Sequence, residues 1–265
     1  MKIAVVTGAS SGLGREMVLQ LWDHFGGIDE IWAIARRKER LEELKELTGV
    51  TIRPLALDLM KNEAIEELKK LLENQNPRVK FLVNAAGFGK LGQADSLSLE
   101  DETGMVRLNC EALTAVTRLV LPYMETNSRI IQFASGAAFL PQPGFAVYAA
   151  SKAYVLSYSR ALNQELKKRR ICVTAVCPGP VKTEFFDVLN AGAGEKACDL
   201  PFYKQLIMAD PKRVARKAMR DSIMCRPLSV YGLPMKAFNL LCKIVPHSFI
   251  LKLTADLQGD DGICR

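Results

Sequence analysis

The strongest constraint on this chain is an alternation that begins almost at its first residue. Short β-branched or apolar runs at Ile3–Thr7, Glu30–Ala35, Thr51–Leu57, Lys80–Asn84, Arg129–Ala134, Ile171–Val176 and Leu228–Tyr231 read as strands. Helical patterns fill the gaps at Gly12–Phe25, Lys38–Leu47, Asn62–Glu73, Thr103–Met124, Tyr148–Lys168 and Pro211–Met224. Strand, helix, strand at this spacing calls for a parallel sheet joined by crossovers. Runs such as Ile3-Ala4-Val5-Val6 are apolar on both sides of the pleat, as in strands buried on both faces. Right-handed crossovers then give an α/β fold: a doubly wound parallel sheet of about seven strands with helices on both faces. Ligands of such sheets bind beyond the C-terminal strand ends, which puts Gly8, Arg36, Asp58, Asn84, Ser135 and Pro178 along one rim.

One domain over residues 1–265 is expected, because no repeat, low-complexity tract or linker divides the chain. Its first residues read as a strand rather than a signal peptide. No charge-free run reaches the roughly 18 to 20 residues of a membrane span. Seven scattered cysteines without a CxxC pair read as reduced thiols in a cytoplasmic protein. His24 and His247 lack metal-ligand spacing, so no metal is expected. The net charge of +7 lies in short clusters, read mainly as solvated helix faces. With no aromatic interleaving and no nucleic-acid motif, nucleic acid is not an expected partner.

Thr7-Gly8-Ala9-Ser10-Ser11-Gly12-Leu13-Gly14 lies between the first strand and the first helix. Glycines there let the backbone turn tightly against a pyrophosphate, and the helix N-terminus offers free N–H groups to the anion. The second strand ends in Arg36-Arg37, with no Asp or Glu at 35 to 37 to accept from a free ribose 2′-hydroxyl. Arginine pairs instead with a 2′-phosphate, so NADP(H) is favoured over NAD(H), with Arg36 as the leading contact and Arg37 beside it.

Tyr148 and Lys152 stand four apart at the start of a helical pattern and so share a face. A nearby ammonium favours a phenolate, bringing a tyrosine closer to useful general acid/base strength. Taken alone, a buried Tyr and a surface Lys on one helix explain the pair as well. Ser135 ends the fifth strand thirteen residues earlier, where a hydroxyl can meet a substrate oxygen or serve as an ordinary turn residue. Asn109 lies inside the fourth helical pattern, where Asn is a poor helix former. It either bends the helix, holds a water, or is a satisfied buried amide.

Together these residues resemble the short-chain dehydrogenase/reductase family, from about Lys2 to Tyr231. The loop Gly8, Ser10, Ser11, Gly12, Leu13 and Gly14 looks like the family's cofactor loop. Asp58 and Leu59 look like the adenine contact, and Asn84-Ala85-Ala86-Gly87 like the Asn-Asn-Ala-Gly element, with Ala85 replacing the second Asn. Asn109, Ser135, Tyr148 and Lys152 match the catalytic tetrad. Pro178, Gly179, Val181 and Thr183 resemble the segment that meets the nicotinamide. The resemblance implies a Rossmann fold and carbonyl–alcohol interconversion. Ser135 would polarise the substrate oxygen, Tyr148 would exchange the proton, Lys152 would bind the nicotinamide ribose and lower the Tyr148 pKa, and Asn109 would support a water chain. Tyr148 and Lys152 thus also count among the cofactor contacts.

Two segments remain. Residues 180–210 carry no strand signal and are expected to cover the substrate. Residues 232–257 form an amphipathic C-terminal extension: Met235, Phe238, Leu241, Cys242 and Val245 fall at helical spacing, and Ser248 stands to cap a second stretch. Packing, site closure, a subunit contact and peripheral membrane contact compete, with packing or site closure set ahead of the membrane. A small hydrophobic substrate and a homodimer or homotetramer are expected. Hydroxysteroid oxidoreduction and 3-oxoacyl-thioester reduction are both open, and the rival class is a non-catalytic NADP(H)-binding redox sensor.

Overall fold

The computed structural model describes residues 1–24, 27–185, 189 and 208–252. Seven parallel strands form one sheet: β1 (Lys2–Thr7), β2 (Glu30–Ala35), β3 (Thr51–Ala56), β4 (Arg78–Asn84), β5 (Met124–Phe133), β6 (Cys172–Val176) and β7 (Leu228–Ser229). Their order is β3-β2-β1-β4-β5-β6-β7. The chain therefore builds outward from β1 to β3, then crosses back to lay β4 on the other side of β1. That reversal opens the ligand crevice beyond the C-terminal ends of β1 and β4.

The helices are α1 (Gly12–His24), α2 (Lys38–Leu47), α3 (Asn62–Gln75), α4 (Leu99–Val106), α5 (Leu113–Val120), α6 (Ala146–Glu165), α7 (Pro211–Ile223) and α8 (Leu233–Ile244). They sandwich the sheet. Alternate residues of one strand enter different cores: Ile3 and Val5 of β1 pack with Leu68, Leu72 and Val116, whereas Ala4 and Val6 pack with Met17, Val18 and Met219. Every residue of β2 is buried, the apolar run 31–35 as strands covered on both faces require, and Glu30 with its carboxylate bonded to Trp32 Nε1 and Arg53.

Several expectations need correction. The single helix drawn over Thr103–Met124 is α4, a π-helical turn at Arg107–Ala112, α5, and a 3₁₀ turn at Leu121–Tyr123, and Met124 already begins β5. The wide turn surrounds Asn109. The last strand is two residues long rather than four. Ser248 lies within a helical stretch over 247–252 rather than capping it, and residues 253–257 lie outside the described set. Not all the thiols are reduced: Cys172 at the start of β6 and Cys225 after α7 form a disulfide, with Cα atoms 5.3 Å apart. A separation of 53 residues leaves no trace in sequence spacing. Cys198 and Cys264 lie outside the described residues.

Most of 180–210 is likewise outside them, but its two ends are joined. Val181 bridges Ala209, with Lys182 N donating to Ala209 O at 3.0 Å and Ala209 N to Pro180 O at 2.8 Å. Among the described residues no helix is long and apolar enough to cross a membrane.

Candidate active site

The loop after β1 is shaped by its glycines. Gly8 has φ +67°, and a Cβ there would lie 2.7 Å from Ala86 N. A Cβ at Gly14 would overlap the Gly8 carbonyl. The turn can therefore fold onto the first turn of α1 only with bare backbone at both positions. Thr7 clamps the crevice from the other side: its Oγ1 accepts from Ala85 N at 3.1 Å and Ala86 N at 3.2 Å, tying the ends of β1 and β4 together. Ser10 is buried, while Ser11, Gly12 and Leu13 are partly exposed at the helix start. A Cβ at Gly12 would meet Thr183, so the Pro178–Thr183 segment runs over the loop. This bare-backbone cradle at a helix N-terminus fits a dinucleotide pyrophosphate.

Asn84 turns inward. Its Nδ2 donates to Thr117 Oγ1 at 2.9 Å and Gln132 Oε1 at 3.0 Å, bracing β4 against α5 and β5. Asp58 accepts from Met60 N at 3.1 Å at the end of the loop after β3, with Leu59 buried beside it. Of the two arginines after β2, Arg37 rather than Arg36 reaches the loop. Arg37 Nη2 donates to Ser10 Oγ at 3.3 Å and Nη1 to Glu184 at 2.9 Å. Arg36 is exposed.

The four residues of the expected tetrad come from β5, the π turn and α6. Ser135 follows β5, and its Oγ accepts from Ala137 N at 3.1 Å and acts on the Tyr148 phenol so as to lower its pKa. Tyr148, on the first turn of α6, is only 6 % exposed. Phe145 stacks on its ring at 4.2 Å between centroids, and Phe185 lies at 5.6 Å. One turn on, Lys152 donates to the Phe133 carbonyl at 2.9 Å, and its Nζ lies 5.7 Å from the Tyr148 ring centroid.

Asn109 joins the group from behind. Its Nδ2 donates to Phe88 O at 2.9 Å and Ser151 Oγ at 3.0 Å, and its Oδ1 accepts from Phe88 N at 3.1 Å. The π turn gives this amide its reach, and such turns recur at functional sites. Gly87 completes the fit, since a Cβ there would lie 2.8 Å from Asn109 Oδ1 and 3.3 Å from Lys152 Nζ.

The electrostatics differ from the sequence expectation in one respect. Burial pushes the Tyr148 phenol up to about 12, against the lowering effect of Ser135. Burial likewise draws the Lys152 amine down to about 8, with Cys110 and Cys177 acting in the opposite sense. The Lys152 nitrogen lies over the Tyr148 ring, desolvation is the dominant influence on both groups, and the proton rests on Tyr148.

The far wall comes from the C-terminal extension. Met235 of α8 fills the space over Gly136 and Gly179, leaving no room for a Cβ at either. Pro178 O accepts from Gly136 N at 2.8 Å just beneath. Phe238 meets Phe139 at 6.3 Å. The N-terminal half of α8 thus packs beside Ser135, while Leu240, Leu241 and Ile244 are exposed. Sequence reasoning missed Phe88, Ser151, Phe185, Glu184 and Arg40. Only Arg40 left a signal, as a third arginine three residues after Arg37.

A bare-backbone phosphate cradle at the sheet's reversal point, beside a Ser–Tyr–Lys group, defines a dinucleotide-binding α/β oxidoreductase. The chain matches the family model of the short chain dehydrogenase over residues 2–194, and it belongs to that family. It is 37 % identical over 199 residues to the NADP-dependent 3-hydroxy acid dehydrogenase YdfG of Salmonella typhi, covering 74 % of this chain and 79 % of that one. Against human 17-beta-hydroxysteroid dehydrogenase type 3 it is 29 % identical over 204 residues, covering 74 % of this chain and 64 % of the other. Among solved structures, the closed form of a serine dehydrogenase complexed with NADP+ superposes with a TM-score of 0.74 at 31 % identity, over 86 % of this chain and 94 % of that one. The chain is accordingly an NAD(P)-dependent oxidoreductase acting on CH–OH groups.

Proposed function

We propose that this protein is an NADP(H)-dependent enzyme that interconverts a ketone and a secondary alcohol on a hydrophobic substrate, with Tyr148 as general acid/base. The observation that carries the reading is the convergence of Ser135, Tyr148, Lys152 and Asn109 at the sheet's C-terminal edge. When bound, the cofactor supplies or accepts the hydride. Gly8, Ser11, Gly12, Leu13 and Gly14 would hold its pyrophosphate, Asp58 and Leu59 its adenine, and Ala85, Ala86 and Gly87 its central span. Lys152 would hold the nicotinamide ribose, and Pro178, Gly179, Val181 and Thr183 the carboxamide end.

Ser135 orients the substrate oxygen beside the Tyr148 hydroxyl, whose pKa it lowers. Tyr148 donates its proton to that oxygen in reduction and takes it back in oxidation. Its high pKa in the free protein keeps it protonated and ready to donate at neutral pH. Asn109 fixes the Phe88 backbone and Ser151, and with Lys152 it offers the polar route along which the proton is replaced. The aromatic surroundings of Tyr148 and the Met235 wall support an apolar substrate. NADP(H) is supported by Arg37 on Ser10, with Arg36 beside it, and by the NADP-dependent relatives. We further propose one domain over 1–265, with 180–210 covering the substrate and the N-terminal half of the 232–257 extension closing the site.

Tyr148→Phe tests the assignment. Turnover should fall by roughly 10²–10⁴-fold while NADPH affinity is kept. Full activity would remove Tyr148 from the role, and activity with NADH alone would overturn the cofactor reading. An NADPH-oxidation screen over ketosteroids, 3-oxoacyl thioesters and small ketones separates the substrate classes. No turnover with any of them would favour a redox sensor.

A further inference from the structure

Glu184 makes two ion pairs that no part of the proposed reaction uses. Its carboxylate accepts from Arg37 Nη1 at 2.9 Å and is also bonded to Arg40 Nη1. Arg37 in turn donates through Nη2 to Ser10 Oγ in the glycine loop. Two guanidinium groups from the start of α2 thus converge on one anion. That anion belongs to a residue 144 and 147 positions away, immediately after the segment that runs over the loop.

Paired guanidinium groups with a neighbouring hydroxyl suit a group with more oxygens and more charge than a carboxylate. A phosphate monoester carries about −1.5 to −2 at neutral pH and three acceptor oxygens, against one negative charge and two oxygens for Glu184. If the proposed reading of NADP(H) holds, the ribose 2′-phosphate arrives at the end of β2, where these arginines stand. We propose that Glu184 is an internal stand-in for that phosphate, competing with it for Arg37 and Arg40, and so sets how strongly the protein prefers NADP(H) over NAD(H). Arg40 becomes a second phosphate contact beside Arg37.

The competition is mild. The three side chains are 41–43 % exposed, and exposed ion pairs are individually weak. The pair is nonetheless formed at neutral pH, since the bond to Arg40 holds the Glu184 carboxyl below its ordinary range. A dianionic phosphate displaces it at a modest loss of affinity, whereas NAD(H) brings nothing to displace it. Glu184 also adjoins Phe185, whose ring lies against Tyr148. The contact released by the phosphate is therefore one residue from the aromatic wall of the site.

The test is calorimetric titration of the full chain with adenosine 2′,5′-bisphosphate and with adenosine 5′-monophosphate, probes that differ only in the 2′-phosphate. Glu184→Gln should bind the bisphosphate about three- to tenfold more tightly, the range expected from losing one or two exposed ion pairs. Its affinity for the monophosphate should not change, and the gain should shrink when Arg40→Met is added. Glu39→Gln, a charge removal on the same helix, should leave both affinities as they were.

Equal tightening for both probes, or the same gain without Arg40, would reduce the effect to general charge and overturn the inference. Wild-type preference for the bisphosphate with no response to Glu184→Gln would sink this inference and leave the NADP(H) reading standing. Equal wild-type affinity for the two probes would sink both.

Discussion

Lys152 gives the site a signature that can be read without a substrate. The amine is only 6 % exposed, and burial lowers its pKa from 10.5 to about 8. A lowering of that size means that the fold disfavours the ammonium by about 3 kcal/mol. The folded chain sheds this proton near 8 and the unfolded chain near 10.5, so between these values the unfolded state binds more protons. Stability from this group therefore rises with pH across that window. It is complete above the unfolded value and is lost as pH falls through the folded one.

Lys152→Met keeps the apolar stem and removes the titration. Other groups also titrate in alkali. Cys177 is pushed up to about 12 by burial, Cys110 is raised by burial, and Tyr148 stays protonated to about 12. All three are present in both proteins, so their effects largely cancel in the difference between wild type and variant. Urea unfolding of the two cofactor-free proteins, from neutral pH to 10.5, should show the wild type gaining about 3 kcal/mol on the variant. A difference flat across that range would refute the claim that Lys152 is buried at the expense of its charge.

Three further outcomes are expected. Gly14→Ala puts a methyl into the Gly8 carbonyl and should cost about 1–3 kcal/mol in thermal unfolding, together with cofactor affinity; unchanged binding would refute the close approach. Gly144→Ala, at φ +71° with no atom within 4 Å of the new Cβ, should cost only the backbone term of about 1–2 kcal/mol and leave cofactor binding intact. Breaking the Cys172–Cys225 link with reductant or by Cys225→Ser should cost about 4 kcal/mol by the loop-entropy argument for a 53-residue separation. A denaturant midpoint indifferent to reductant would show that the two thiols are not joined.

The parts of this molecule that were legible in the sequence are those whose cause is local. β2 and α2 have the bounds the apolar pattern predicts, because six consecutive buried residues and a helix with Leu41 and Leu44 on one face each leave a full periodic record. The interrupted helix was not legible. Arg107–Ala112 widens into a π turn while Asn109 bonds to Phe88 and Ser151, yet the apolar spacing on either side reads as one continuous helix. The poor helix propensity of Asn was the only local hint, and it could not distinguish a bend from a satisfied amide.

The same division explains which site residues could be named in advance. A strand-end loop that must be free of side chains shows its need in its own residues, as Gly8 and Gly14 do. A contact made across the sheet's reversal has no such record. Thr7 holding the amides of Ala85 and Ala86 depends on β4 returning to the side of β1, and Glu184 meeting Arg37 and Arg40 depends on the Pro178–Thr183 segment passing over the glycine loop. Those contacts join the end of β1 to the end of β4, and the start of α2 to the residue before Phe185, which lies against Tyr148. The residues proposed for the chemistry are thus written in short motifs, whereas these pairings are created only by the topology.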